Sequence, residues 1–321
     1  MALLDVQNLT MYYATKKGDV RAVEDVSFAL ERGKSLGLVG ESGCGKTSVA
    51  ISLIKLLPEN ARILNGHVYF NDQDLIPLSE EEIRKVRWKG ISMVFQAAMN
   101  SLDPVYRVGD QIVEAILTHE DISEEAARER VAELFKLVGL DPERMDHYPH
   151  EYSGGMKQRA IIAMALACNP DIIIADEPTT ALDVIVQDKI LREMDELRKQ
   201  LNMGMIYISH DIAVIAEVSD KIGVMYAGKM VEFADTMTIF KRPAHPYTHA
   251  LMSAFPSIRG EKRELQVLPG EPPDLLNPPQ GCRFNPRCPY ATPQCEQEDP
   301  PWEELEPGHF VACWNPLRYT K

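Results

Sequence analysis

The segment Gly40-Glu41-Ser42-Gly43-Cys44-Gly45-Lys46-Thr47 fits G-x-x-x-x-G-K-[ST] and constrains this chain more than any other feature. It follows a short apolar run, Ser35–Val39, and precedes a helical stretch, Ser48–Leu57, that Pro58 ends. Strand, glycine loop and helix in that order make an anion-binding turn. The glycines let the backbone curl so that successive N–H groups face phosphate oxygens at the positive end of the helix. Lys46 is placed to neutralise the β- and γ-phosphates of a nucleotide, and Thr47 to offer its hydroxyl to Mg²⁺. The candidate contacts run from Gly40 through Ser48.

Such a site needs an acidic partner. Ile172-Ile-Ile-Ala-Asp176-Glu177 is a continuous apolar run, as expected of a parallel strand covered on both faces, and it ends in two carboxylates. Asp176 is the candidate to hold Mg²⁺, and Glu177, on the other side of the strand, the candidate to polarise an attacking water. Leu3–Val6, Val26–Leu30, Val68–Asn71, Ile91–Phe95 and Met205–Ser209 read as further strands. Ile185–Leu201 reads as a crossover helix. From Pro104 to Tyr148 the pattern turns helical: Ser123-Glu-Glu starts a helix whose Val131, Leu134, Phe135 and Val138 share a face. The expected fold is α/β with a mixed or parallel sheet interrupted by a helical insertion.

With 45% apolar and 26% charged residues, the chain can build a core. Its net charge of −14 argues against a nucleic-acid partner. No run approaches the roughly 18 apolar residues of a membrane helix, and no secretory signal is visible, so a cytoplasmic location is expected. More than half of the 22 prolines fall between residues 241 and 301, and four of the six cysteines (Cys282, Cys288, Cys295 and Cys313) lie in the last 40 residues. An irregular tail fastened by those cysteines is expected, and thiols in a reducing compartment hold metal more often than they form disulfides.

Tyr152-Ser153-Gly154-Gly155-Met156-Lys157-Gln158-Arg159, ending 17 residues before Asp176, resembles the signature of ABC-type ATPases. Gln96 resembles the family's Q-loop, Ala181-Leu182-Asp183 its D-loop, Ser209-His210-Asp211 its switch histidine, and Tyr13 the aromatic residue that stacks on adenine, with Tyr12 as a rival. The resemblance implies an ABC ATPase domain over 1–235 with a helical subdomain at about 100–165. It implies ATP held by Tyr13, the phosphate loop and Gln96, with Mg²⁺ on Thr47, Gln96 and Asp176. Glu177 and His210 would be catalytic, and Ser153, Gly154, Gly155 and Met156 would act across a dimer on the partner's nucleotide. Cys44 stands where many relatives carry Ser, and a thiol beside phosphate is open to oxidation.

Phe95-Gln96-Ala-Ala-Met99-Asn-Ser101-Leu102-Asp103-Pro104, Pro243-Ala-His245-Pro246-Tyr247-Thr248 and Leu268-Pro269-Gly270-Glu-Pro272-Pro273 resemble the oligopeptide/dipeptide/nickel import subfamily. That implies a connecting helical segment at 236–260 and a cysteine-bearing domain at 261–321. It also implies a second ATPase subunit in a heterodimer, two membrane-spanning permeases, an extracytoplasmic solute-binding protein, and a peripheral place on the cytoplasmic face of the membrane. Residues from about Met99 to Arg107 would receive a permease. Peptides are the first expected cargo, with oligosaccharides and nickel chelates behind. The rival of another class, a soluble ABC ATPase acting on DNA or ribosomes, lacks its usual inserted coiled coil or second ATPase set.

The spacing Cys282-x5-Cys288-x6-Cys295-x17-Cys313 matches neither zinc ribbons nor ferredoxins. The subfamily resemblance implies a [4Fe–4S] cluster, with zinc as the alternative. Arg283 and Arg287 are expected to offset a cluster's negative charge, and His309 is a candidate zinc ligand.

Overall fold

The computed structural model describes residues 2–96, 98–179, 182–253, 268 and 270–319. Ala181 of the expected D-loop, Pro269 and residues 254–267 lie outside the described residues. Strands in chain order are β1 (Ala2–Thr15), β2 (Gly18–Glu31), β3 (Ser35–Val39), β4 (Ala61–Phe70), β5 (Gln73–Asp74), β6 (Ile91–Val94), β7 (Ile172–Asp176), β8 (Gly204–Ser209), β9 (Lys221–Tyr226), β10 (Lys229–Asp235), β11 (Trp302–Glu306) and β12 (His309–Ala312). The chain forms two compact units.

The first unit takes the described residues of Ala2–Ala29, Leu36–Ile76 and Ser209–Lys321. One sheet of it runs β2-β1-β4-β5, with β1 antiparallel to β4 in the register Leu4↔Phe70. A second array runs β11-β12-β10-β9-β3. Here β3 is parallel to β9, while the β9–β10, β10–β12 and β12–β11 pairs are antiparallel. All five residues of β3 are buried, as its unbroken apolar run requires. Strands β1, β2 and β4 are longer than the sequence pattern suggests, because their outer ends carry exposed polar residues that break the alternation.

The second unit, built on Leu30–Ser35 and Pro77–Ile208, holds the parallel strands β6, β7 and β8 and the longest helices. The expected helix after Ser123 spans Glu124–Leu137, its Ser123 hydroxyl accepting the Ala126 N–H, and Val131, Leu134, Phe135 and Val138 are buried as expected. Helices Val108–His119, Gly154–Leu166 and Val184–Leu201 complete it. A helix not read from the sequence, Glu80–Val86, is nucleated by a capping box between Ser79 and Glu82.

The C-terminal residues are less irregular than their prolines suggest. β12 pairs with β10, and Phe284, Arg283 and Arg287 are buried, so this region joins the first unit through backbone pairing and packing.

Candidate functional site

β3 delivers the chain into the phosphate loop, and two glycines set the curl. Gly40 has φ +151°, and a Cβ there would stand 2.1 Å from the Met225 carbonyl oxygen. At Gly45, φ +103°, a Cβ would stand 2.1 Å from that of Ala22. The helix Lys46–Leu53 begins on Gly45 with no side-chain cap, which leaves its first-turn N–H groups facing the loop. The Lys46 ammonium, 6% exposed, donates to the carbonyls of Gly40 (2.8 Å) and Glu41 (3.0 Å). Ser42, Gly43 and Thr47 are exposed. Cys44 is buried, and burial pushes its thiol pKa up against the opposing pull of Lys46. A protonated, enclosed thiol is a poor target for oxidants, which corrects the expectation of an oxidisable residue.

Strand alternation sends Tyr12 and Tyr13 to different neighbours. On β1, the Tyr13 hydroxyl lies 3.1 Å from Ser48 Oγ in the helix after the loop, whereas Tyr12 donates to Glu24 at 2.6 Å. Burial and that carboxylate push Tyr12 up to about 12. His210 is exposed just after β8, ahead of a helix that Asp211 caps through the N–H groups of Ala213 and Val214.

In the second unit β7 ends on the buried Asp176. Glu177 follows in the left-handed region, φ +46°, its N–H donating to the Ile208 carbonyl at 2.9 Å. Its carboxylate accepts from Gln96 Nε2 at 2.6 Å, so the structure brings together two candidates that lie 81 residues apart. Ser153 caps the helix Gly154–Leu166 through the Met156 N–H. Ser153 and Gly154 are exposed at its N-terminus, with Gly155 half-buried. Asp183 caps Val184–Leu201 through the Val186 N–H at 3.0 Å.

The C-terminal cysteines form no disulfide. Burial pushes Cys282 up to about 11 and Cys313 up to about 12. Among the described residues no group of three or more His, Cys, Asp or Glu side chains is arranged to hold a metal ion. Two supporting assignments are corrected. His309 is buried with Nε2 2.7 Å from Glu232, committed to that carboxylate rather than to a metal. Arg283 pairs with Glu24 (2.8 Å) and the Ala227 carbonyl, and Arg287 pairs with Glu41, so their charges are already matched.

His245, which sequence reasoning did not single out as a functional residue, stands two positions before Tyr247, whose hydroxyl accepts the Glu41 N–H of the loop. It is fully buried, its N–H donates to Glu232, and its Nδ1 accepts the Tyr247 N–H at 3.0 Å. Burial pulls its pKa down to about 4, against the attraction of Glu232. An unfolded histidine titrates near 6.5, so protons favour the unfolded chain between these values. The contribution is intact above about pH 6.5 and falls by about 1.4 kcal/mol per pH unit as pH drops towards 4. His245→Asn, which keeps an acceptor near Nδ1, is expected to lose less Tm than the parent between pH 7 and pH 5. Equal losses would remove His245 from the acid response.

Residues 23–180 match the family described as ABC transporter, and residues 231–295 that described as oligopeptide/dipeptide transporter, C-terminal region. The chain is 46% identical over 316 residues to a probable peptide ABC transporter ATP-binding protein of Sinorhizobium fredii, covering 97% of this chain and 94% of that one. It is 45% identical to the oligopeptide transport ATP-binding protein of Escherichia coli (98% and 94% covered) and 46% identical to the dipeptide transport ATP-binding protein of Bacillus subtilis (97% and 94%). Among solved structures, an ATP-binding cassette determined as a dimer in a post-hydrolysis state bound to ADP and Pi aligns with TM-score 0.65 at 27% identity, covering 73% of this chain and 98% of that one. With near end-to-end identity to transport ATP-binding proteins and both family regions in place, the chain belongs to the ABC transporter family, in its oligopeptide/dipeptide branch.

Proposed function

We propose that the chain is the ATP-hydrolysing subunit that powers import of dipeptides or oligopeptides across the cytoplasmic membrane. The observation that carries this reading is the loop Gly40–Thr47, curled by Gly40 and Gly45 around a buried lysine at an uncapped helix start. The Lys46 ammonium leaves the Gly40 and Glu41 carbonyls for the β- and γ-phosphates, while the loop Gly40–Ser48 and the Tyr13 ring hold the rest of the nucleotide. Thr47, Gln96 and Asp176 would hold Mg²⁺, which would offset the charge of the phosphates. Glu177, released from Gln96, polarises the attacking water, and His210 senses the γ-phosphate.

Two such ATPase chains would meet head to tail in a heterodimer. The N–H groups and hydroxyl of Ser153, Gly154, Gly155 and Met156 then close on the partner's γ-phosphate, with Asp183 beside the seam. Shifting that pair from 1:99 to 99:1 closed takes about 5.5 kcal/mol of differential binding. ATP supplies it by touching both halves, and loss of the γ-phosphate reopens the pair. The ABC ATPase domain would span 1–235 with its helical subdomain at 100–165, followed by the connecting segment 236–260 and the cysteine domain 261–321. Met99–Arg107 would receive a coupling helix of one of the complex's two permeases, which an extracytoplasmic solute-binding protein would serve, placing the chain peripherally on the cytoplasmic face. Reconstitution with its permeases and binding protein in liposomes tests this: ATP should drive uptake of labelled peptide. ATP-driven uptake of an oligosaccharide or nickel chelate alone would replace the cargo, and no uptake of any would overturn the transport reading.

We further propose that Cys282, Cys288, Cys295 and Cys313 hold a [4Fe–4S] cluster, with zinc as the alternative. Four free cysteines crowded into the last 40 residues, on the pattern that the subfamily resemblance singles out, support this reading, since thiolates suit soft metals. Anaerobically purified protein should show thiolate-to-iron absorption, and Cys288→Ser should lose that absorption and its iron while ATP affinity changes less than about twofold, a shift of roughly 0.4 kcal/mol. Full metal occupancy in the variant would exclude Cys288 as a ligand.

A further inference from the structure

Glu41 carries a negative charge inside the loop that has to receive a triphosphate, and the C-terminal region manages that charge. Arg287, its side chain 6% exposed, sets Nη1 2.7 Å and Nη2 3.0 Å from the two carboxylate oxygens of Glu41, a bidentate pair. The guanidinium is itself fixed. Nη1 donates to the Tyr226 hydroxyl at 3.2 Å, and the group lies 5.7 Å from the centre of that ring. Tyr226 packs against Tyr247 and Phe284, with ring centres 4.6 and 5.2 Å away.

Tyr247 adds a second hold, because its hydroxyl accepts the Glu41 N–H at 3.0 Å. The Glu41 carbonyl accepts from Lys46. One loop residue is thus gripped at its side chain and its N–H by residues more than 200 positions downstream, while its carbonyl steadies the lysine.

We propose that Arg287 is a positioning residue for nucleotide binding: by pairing with Glu41 it neutralises the loop's own carboxylate and fixes the curl in which Lys46 is poised, so that the C-terminal region tunes affinity for ATP. This rests on reading Gly40–Thr47 as the ATP site. With the guanidinium gone, an uncompensated carboxylate remains in the loop read as receiving the phosphates. At an effective dielectric near 20, its repulsion of them weakens binding by roughly tenfold or more.

The test uses the full chain, with MgATP and MgADP affinities measured by calorimetry for Arg287→Gln, Glu41→Gln and the double variant. Arg287→Gln is expected to weaken MgATP by about tenfold, with a loss that shrinks as ionic strength rises. Glu41→Gln serves as its own baseline: against it, adding Arg287→Gln should cost little further affinity, because the carboxylate that Arg287 neutralises is already gone. A purely structural role for Arg287 predicts the same loss with and without Glu41→Gln and no salt dependence, and that result overturns the proposal. So does unchanged affinity in Arg287→Gln. If Arg287→Gln does not fold, Arg287→Lys keeps the charge without the fork. It should lose less than about threefold at low salt, and a larger loss there also overturns the charge argument. Unchanged affinity in Lys46→Ala is a separate failure, of the ATP-site reading itself.

Discussion

Glu177→Gln is expected to bind MgATP about as tightly as the parent and to hydrolyse it about 10² to 10⁴ times more slowly, the usual range for removing a general base. The substitution changes one atom's chemistry and little else. The backbone at Glu177 is fixed in the left-handed region by its bond to Ile208, so the side chain's direction is set by the main chain. An amide of the same shape still meets Gln96, which stands 2.6 Å from the carboxylate, but it has no lone-pair charge with which to draw a proton from water. Binding is expected to survive because the loop proposed to grip the nucleotide is untouched. The measurement is kcat and KM for ATP in the assembled transporter, together with the size of the ATPase pair. The variant should accumulate as a closed, nucleotide-loaded pair because closure needs the γ-phosphate and reopening needs its loss. Parental turnover would remove Glu177 as the base, and slow turnover without accumulation of the closed pair would separate hydrolysis from the opening step.

What the sequence makes legible here is what is local. The phosphate loop is eight consecutive residues whose spacing encodes its curl, and β7 announces itself because a strand buried on both faces leaves no room for polar residues. Ser123 and the face Val131–Leu134–Phe135–Val138 follow from helical period alone. The long outer strands are harder, since β1 and β2 carry polar positions on an exposed face and only Leu3–Val6 and Val26–Leu30 read as strand. Least legible is what depends on distant partners. Arg283 and Arg287 sit next to cysteines in sequence, and proximity suggests that they serve the thiols. Folded, they reach Glu24 and Glu41 instead, and nothing short of the tertiary structure pairs residues 246 positions apart. Cys44 and His309 teach the same point: a thiol or imidazole takes its chemistry from burial and from the group opposite.

Lys46→Ala should abolish tight MgATP binding, raising its Kd by a hundredfold or more, since a buried charge-assisted contact is worth about 1.5–3 kcal/mol and this ammonium makes several to phosphate. Its bonds to the Gly40 and Glu41 carbonyls predict a second effect in the absence of nucleotide. Alanine leaves those carbonyls without their cation, so the unliganded variant should melt a few degrees below the parent, as a loss of about 1–2 kcal/mol implies. A thermal-shift titration reads both. At a hundred times its Kd, MgATP stabilises the parent by about 2.7 kcal/mol and raises Tm accordingly, whereas the variant at the same concentration gains almost nothing. A parental ATP-induced shift would refute Lys46 as the phosphate lysine. A lost shift with an unchanged unliganded Tm would keep it there and refute its role as the strut of the empty loop. The two outcomes separate because binding energy is gained only with nucleotide present, while the lysine's bonds to the loop carbonyls act only until the phosphates replace them.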